Sequence, residues 1–171
     1  MSLLEVPIGV NAPNIFNTII EIPRGSTNKY EVDPKTGLIT LDRVLYSPLY
    51  YPFDYGYIPR TCARDGDTLD VLVMISHPTF PGCIVEAKPL GVLMMKDDKG
   101  PDEKIICAAT KDPRYESLQS LNDLEVHVLK EVTHFFEIYK ELEEKTVEVI
   151  GWKGREDAVA LIQRYRVDLA S

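Results

Sequence analysis

Apolar and polar residues alternate with period two in short runs along the first two thirds of the chain. FNTIIEIPRG (16–25) and the pair KYEV and LITLD, joined by DPKTG, show this alternation around a Pro/Gly turn, which is hairpin chemistry. DVLVMIS (70–76), CIVEAKPLGVLMM (83–95) and KIICAA (104–109) are short, β-branched and apolar, and Gly, Pro or acidic clusters separate them. That combination reads as a small closed β-structure and not as alternating βαβ units. Then the period changes. Leu124, Val128, Val132, Phe135, Tyr139 and Leu142 recur at spacings of three and four, so a helix lays an apolar stripe on the barrel. TVEVIGW reads as a last strand, after which Ala158, Leu161, Ile162, Tyr165 and Leu169 repeat the helical spacing. The fold class expected is α+β, a β-barrel of about five strands with two flanking α-helices.

Composition narrows the classes. With 171 residues, 44% hydrophobic and 27% charged, and no linker or repeat, the chain is expected to form a single domain over residues 1–171. A formal net charge of -8 disfavours nucleic acid as a partner, because a barrel that binds oligonucleotides needs a basic face studded with aromatics. The N-terminal MSLLEVPIGVNAPN lacks a basic region followed by an apolar one, and no run approaches the roughly 18 apolar residues of a membrane span. The expectation is no export and no membrane. Cys62, Cys83 and Cys107 are odd in number, far apart and without a C-x-x-C pair, which argues against a disulfide framework or structural zinc and suits a cytoplasmic location.

The candidate chemistry sits at strand ends. DGDTLDVLV (65–73) crowds three aspartates at the mouth of an apolar strand, where like charges repel unless something offsets them. Asp65 and Asp67 face the same way in an extended segment, and Asp70 is fixed by the strand it opens. Such a hard-oxygen set suits Mg²⁺, although a solvated polar turn is the other reading of the stretch. It is not an EF-hand loop, which would want Gly at its sixth position and Glu at its twelfth, where Asp70 and Ser76 stand. MMKDDKGPDEK (94–104) supplies a second acidic cluster at another strand end, either a solvated tip or the other half of a cation site. Lys29 and Glu31 share a face of the first hairpin, with Arg43 at the end of its partner strand: phosphate-gripping groups, or cross-strand ion pairs. YYPFDYGYIPR (50–60) reads as a rigid loop that presents hydroxyls or packs aromatics. Tyr139 closes the helical stripe beside Lys140, and His127 and His134, seven apart, mark a packed or subunit-contact face. Trp152 is expected to cover the core. A non-catalytic metal-binding protein would explain the aspartates but not Lys29, Arg43 and Tyr139.

EIPRGSTNKYEVD, YYPFDYGYIPRT, DGDTLDVLV, KDDKGPDEK, DPRYESLQSLNDL and HFFEIYKELE, in this order and spacing, resemble the soluble family I inorganic pyrophosphatases in their short prokaryotic form. The likeness runs over nearly the whole chain. It implies an OB-like five-stranded β-barrel with two helices, a cytoplasmic homohexamer, and hydrolysis of pyrophosphate to two orthophosphates with several Mg²⁺ per subunit. By the same likeness Asp65, Asp70, Asp97 and Asp102 resemble the metal ligands, and Asp67 the general base that activates water. Lys29, Arg43, Tyr55, Lys104, Tyr139 and Lys140 resemble the substrate-binding groups, and Glu21 and Glu31 the outer metal shell. The chain departs from the family pattern at Thr68, where Pro or an acid is usual, at Asp98, where Glu is frequent, and at CAAT after the strand.

Overall fold

A computed structural model describes residues 2–167. In it the strands are β1 (Phe16–Ile22), β2 (Asn28–Val32), β3 (Ile39–Val44), β4 (Asp54–Ile58), β5 (Leu69–Met74), β6 (Ile84–Asp97), β7 (Gly100–Pro101), β8 (Lys104–Ala109) and β9 (Glu148–Gly154). The helices are α1 (Val126–Ile138) and α2 (Arg155–Tyr165). Strands β1, β4, β5, β8 and β6 pair in that order, and β6 pairs back onto β1, so the sheet closes as a ring of five. Every pairing in the ring is antiparallel except β5 with β8, which is parallel. β7 and β9 extend the sheet along β6, and β2 with β3 forms a separate hairpin.

The hairpin turn is built by Asp33, whose carboxylate accepts from the Lys35 N–H at 2.9 Å and from the Thr36 hydroxyl at 2.9 Å, with Gly37 at a left-handed φ of 69°. Ring strands are apolar on both faces because both faces are covered. Inside, Phe16, Ile20, Leu69, Val71, Val73, Ile105 and Cys107 pack together, and α2 closes one end with Ala158, Ile162 and Tyr165. Outside, α1 lays Val132, Phe135, Phe136 and Tyr139 against Tyr51, Tyr55, Leu72, Leu93 and Met95. Trp152 on β9 packs on this outer layer and donates from Nε1 to the Thr133 hydroxyl at 3.0 Å, which ties strand to helix.

The structure departs from the sequence pattern in three places. Residues 50–60 are not a loop throughout, since Asp54–Ile58 form a ring strand. Gly56 permits this: a Cβ there would lie 1.8 Å from the Ile19 carbonyl oxygen, so only glycine lets β4 approach β1 so closely. The helical stripe is also shorter than its spacing suggests. Leu124 is half-buried just before α1, after a 3-10 turn at Leu121–Asp123 that Ser120 caps. Leu142 is exposed in a second such turn, Glu141–Glu143, which Glu144 ends at a φ of 57°. Leu169 lies outside the described residues. Among the described residues no helix is long and apolar enough to cross a membrane.

Candidate active site

The parallel pairing of β5 with β8 sets the site. It places Asp70 opposite Lys104, both at the start of their strands, so two segments far apart in sequence begin at one rim of the ring. Asp70 shares the outer face with Leu72, while Leu69 and Val71 point inward. The Lys104 ammonium, almost fully buried, reaches Asp70 Oδ2 at 2.6 Å, Asp102 Oδ1 at 2.8 Å and the Tyr55 hydroxyl at 2.9 Å. Tyr55 itself donates to Asp70 Oδ2 at 2.8 Å. Burial opposes the Lys104 charge, but Asp70 and the other anionic neighbours outweigh it and hold its pKa well above the ordinary lysine value. Burial likewise pushes the Tyr55 phenol far up, so that it stays a neutral donor.

The carboxylates around this lysine are under-compensated. Burial raises the Asp102 carboxyl, Asp70 adds to the rise, and Lys104 only partly opposes it. Glu21 on β1 is pushed up to about 7 by burial, with Asp70 contributing, although its Oε1 accepts from the Val32 N–H at 2.8 Å. That bond also anchors the β2–β3 hairpin over the rim.

Three further groups of residues complete the cleft. In the loop before β5, Asp65 Oδ1 accepts from the Asp67 N–H at 3.0 Å, which shapes the turn. Both side chains are exposed there, and among the described residues the Asp67 carboxylate has no hydrogen-bond or ion-pair partner. At the end of β6, Asp97 accepts from the Lys99 N–H at 2.9 Å and meets Lys140 at 3.4 Å. Lys140 also lies 5.3 Å from the centroid of the Tyr139 ring. Tyr139 is both core and cleft, since it packs on Phe135 and Phe136 and still lines the opening. On the hairpin, Lys29 pairs with Asp42 at 3.0 Å and with Glu31 at 3.8 Å, so ion pairs do form there. Arg43 contacts Asp42 at 2.5 Å, and Glu143 at 2.8 Å through Nε.

All the residues that the sequence singles out line one cleft of about 710 Å³: Glu21, Lys29, Glu31, Arg43, Tyr55, Asp65, Asp67, Asp70, Asp97, Asp102, Lys104, Tyr139 and Lys140. Asp42 and Tyr51 line it too, and Glu143 stands behind Arg43, 2.8 Å from its Nε; sequence reasoning missed all three. Asp42 had a signal in its place beside Arg43 and across from Lys29; Glu143 had none, because only the fold brings it to Arg43. His127 and His134 stand apart on the exposed side of α1, with His127 3.6 Å from Glu131.

The cleft holds nine carboxylates against seven Lys and Arg side chains. Its donors are oxygens with no sulfur or imidazole, which suits a hard cation. Among the described residues no three Asp, Glu, His or Cys side chains form a ready-made cage. Asp70 and Asp102 do converge on one cationic nitrogen, and the Asp102 and Glu21 carboxyls are raised chiefly by burial, with the Asp70 charge adding to both. These residues fit Mg²⁺, which is commonly bound through one or two carboxylates plus water and substrate oxygens.

A five-stranded ring with such a cleft at its rim defines the chain as a barrel protein with an acidic, oxygen-lined site for a hard cation and an anion. The family model of inorganic pyrophosphatase matches residues 18–169. The chain is 48% identical over 163 residues to an inorganic pyrophosphatase of Synechocystis sp., covering 95% of this chain and 96% of the relative. It is 53% identical over 150 residues to one of Halalkalibacterium halodurans, covering 88% and 92%. The crystal structure of inorganic pyrophosphatase from Thermus thermophilus superposes with a TM-score of 0.92 at 44% identity, over 95% of each chain. The chain belongs to the inorganic pyrophosphatase family.

Proposed function

We propose that this chain hydrolyses pyrophosphate to two orthophosphates, with Mg²⁺ held by Asp65, Asp70, Asp97 and Asp102 and with Glu21 and Glu31 acting from outside. The observation that carries this reading is the meeting, in one cleft, of surplus carboxylates with Lys29, Arg43, Tyr55, Lys104, Tyr139 and Lys140. Pyrophosphate is strongly anionic, so a nucleophile approaches it only after its oxygens are neutralised. Bound Mg²⁺ supplies part of that neutralisation and lowers the pKa of water. Arg43 and Lys29 offer the phosphate oxygens a planar fork and a point charge from the hairpin. Lys104 and Tyr55 offer donors from the floor, and Tyr139 and Lys140 from the end of α1. Asp67 takes the proton from the attacking water, a role supported by its exposed carboxylate, which has no partner among the described residues.

The test is phosphate release from pyrophosphate, with and without Mg²⁺ and with a chelator. Turnover that depends on Mg²⁺ and stops in excess chelator is expected, and full activity in chelator would refute the metal assignment. Ca²⁺ alone should not sustain turnover, because its looser geometry aligns the reacting groups poorly. The same reading carries a cytoplasmic homohexamer. A monomer mass by light scattering at micromolar concentration would remove the oligomer from it.

A further inference from the structure

Glu103 stands in sequence between two cleft residues, Asp102 and Lys104, yet it lies beneath the cleft and does not line it. It is buried, and the Tyr165 hydroxyl in the last turn of α2 donates to its Oε1 at 3.1 Å. Tyr165 is buried as well, its ring held in the interior cluster with Leu69 and Ile162. The main chain at the same end of α2 grips a different segment. The Cys62 N–H donates to the Tyr165 carbonyl at 2.8 Å, Thr61 and Arg166 form an antiparallel bridge, and the Val167 N–H donates to the Arg60 carbonyl at 2.8 Å. Thr61 in turn accepts from the Leu69 N–H at 2.9 Å, which fixes the base of the loop carrying Asp65 and Asp67.

The end of α2 therefore holds the two acidic segments from below, one through its backbone and the other through a single side-chain hydrogen bond. At the rim the two strands are also joined by the ladder that begins at Asp70 and Lys104, by the ion pair between these two side chains, and by the Tyr55 hydroxyl bonded to both. We infer that Tyr165 is a positioning residue for Mg²⁺: through Glu103 it fixes Asp102 and Lys104 relative to the Asp65–Asp70 loop. This rests on the proposed function, because it assigns the cation to those aspartates. Groups that orient a metal's ligands from behind commonly govern affinity more than the chemical step.

The test is Tyr165→Phe, which keeps the ring and its packing and removes only the hydroxyl, with Ile162→Val as a control that loosens α2 without touching the bond. Mg²⁺ binding is measured by calorimetry, and phosphate release is titrated with Mg²⁺. In Tyr165→Phe both the Mg²⁺ dissociation constant and the half-saturating Mg²⁺ should rise about three- to tenfold, less than the 10–100-fold typical of groups bonded directly to a ligand. The kcat at saturating Mg²⁺ should stay within about twofold of the parent. Ile162→Val should lower Tm and leave Mg²⁺ dependence unmoved. When Glu103→Ala is already present, Tyr165→Phe should add little, as coupled partners do. An unmoved Mg²⁺ constant in Tyr165→Phe, an equal shift in Ile162→Val, or full additivity with Glu103→Ala would overturn the inference. A parent that neither binds Mg²⁺ nor releases phosphate would instead overturn the proposed function on which it rests.

Discussion

Two sets of aspartates in this molecule meet opposite conditions. Asp54 and Asp112 are buried away from the cleft, and backbone N–H and hydroxyl donors satisfy them, joined at Asp112 by the Arg114 guanidinium at 3.4 Å. Asp54 is fully buried and accepts from the Arg24 N–H at 2.8 Å, the Thr79 N–H at 2.9 Å and the Thr79 hydroxyl at 2.6 Å. Asp112 accepts from the Ser76 hydroxyl and N–H and from the Arg114 N–H, and the Ser76 hydroxyl leads in lowering its carboxyl from 3.8 to about 2. At the cleft Asp70 and Asp102 share the single Lys104 ammonium, and the Asp102 carboxyl moves the other way, upward. The lesson concerns donors as well as depth. A carboxylate with two or three backbone and hydroxyl donors is complete and structural, whereas several carboxylates sharing one lysine leave unmet demand for positive charge. The acids proposed to hold Mg²⁺ are those that show this deficit.

The contrast can be broken most severely at Asp67, which belongs to neither pattern because its carboxylate has no partner among the described residues. Asp67→Asn keeps the shape and removes the proposed proton acceptor. Pyrophosphate hydrolysis should fall on the order of 10²- to 10⁴-fold, with Mg²⁺ affinity little changed and the pH optimum moved upward as hydroxide replaces the lost base. Rescue of this variant by added Mg²⁺ at an unchanged pH optimum would show that the role belongs elsewhere.

Next in size are the aspartates proposed to hold Mg²⁺. Asp70→Asn and Asp102→Asn should each raise the Mg²⁺ needed for half-maximal activity about tenfold or more, with part of the defect recovered at high metal. In the metal-free protein Asp102→Asn should leave Tm unchanged or raised, since it removes charge from a site with too much of it. Asp54→Ala should do the reverse. It orphans three partly buried donors, a loss on the order of 3 kcal/mol and so a drop in Tm of about 10 °C, with no change in Mg²⁺ dependence. If the two variants lower Tm equally in the absence of metal, the distinction between complete and deficient carboxylates fails.

The smallest effect is in acid. Because the folded-state carboxyl of Asp112 lies below its ordinary value, its contribution to stability is present above pH 3.8 and is lost as the pH falls towards about 2. Asp112→Asn should flatten the acid limb of the stability curve in that window and leave stability at neutral pH nearly independent of pH. Urea unfolding midpoints across the window measure it.

Much of this was legible in the chain. Period-two runs and short apolar segments mark most strands, because burial on one or both faces writes itself into the side-chain pattern. The stripe Val128, Val132, Phe135 and Tyr139 marks α1 because one helix face must pack on the barrel. β4 was harder, since YYPFDYGY carries the marks of a turn, and the need for Gly56 is visible only once β1 lies beside it. Clustered aspartates at strand mouths pointed to oxygen-ligand chemistry, and the order of motifs over the chain pointed to the family.

The sequence alone could not decide which acids meet. Nothing local to DGDTLDV or KDDKGPDEK says that their strands run parallel, side by side, with Asp70 opposite Lys104. Neither does anything local bring Glu143 to Arg43, or Tyr165 beneath Glu103. Local pattern records which face of an element is buried, because that is a property of each residue and its near neighbours. Pairing between distant strands is a property of the closed ring, and so are the charge balance of the cleft and the direction in which each carboxyl titrates. Those depend on desolvation and on charges a few ångströms away in space, and only the tertiary structure sets them.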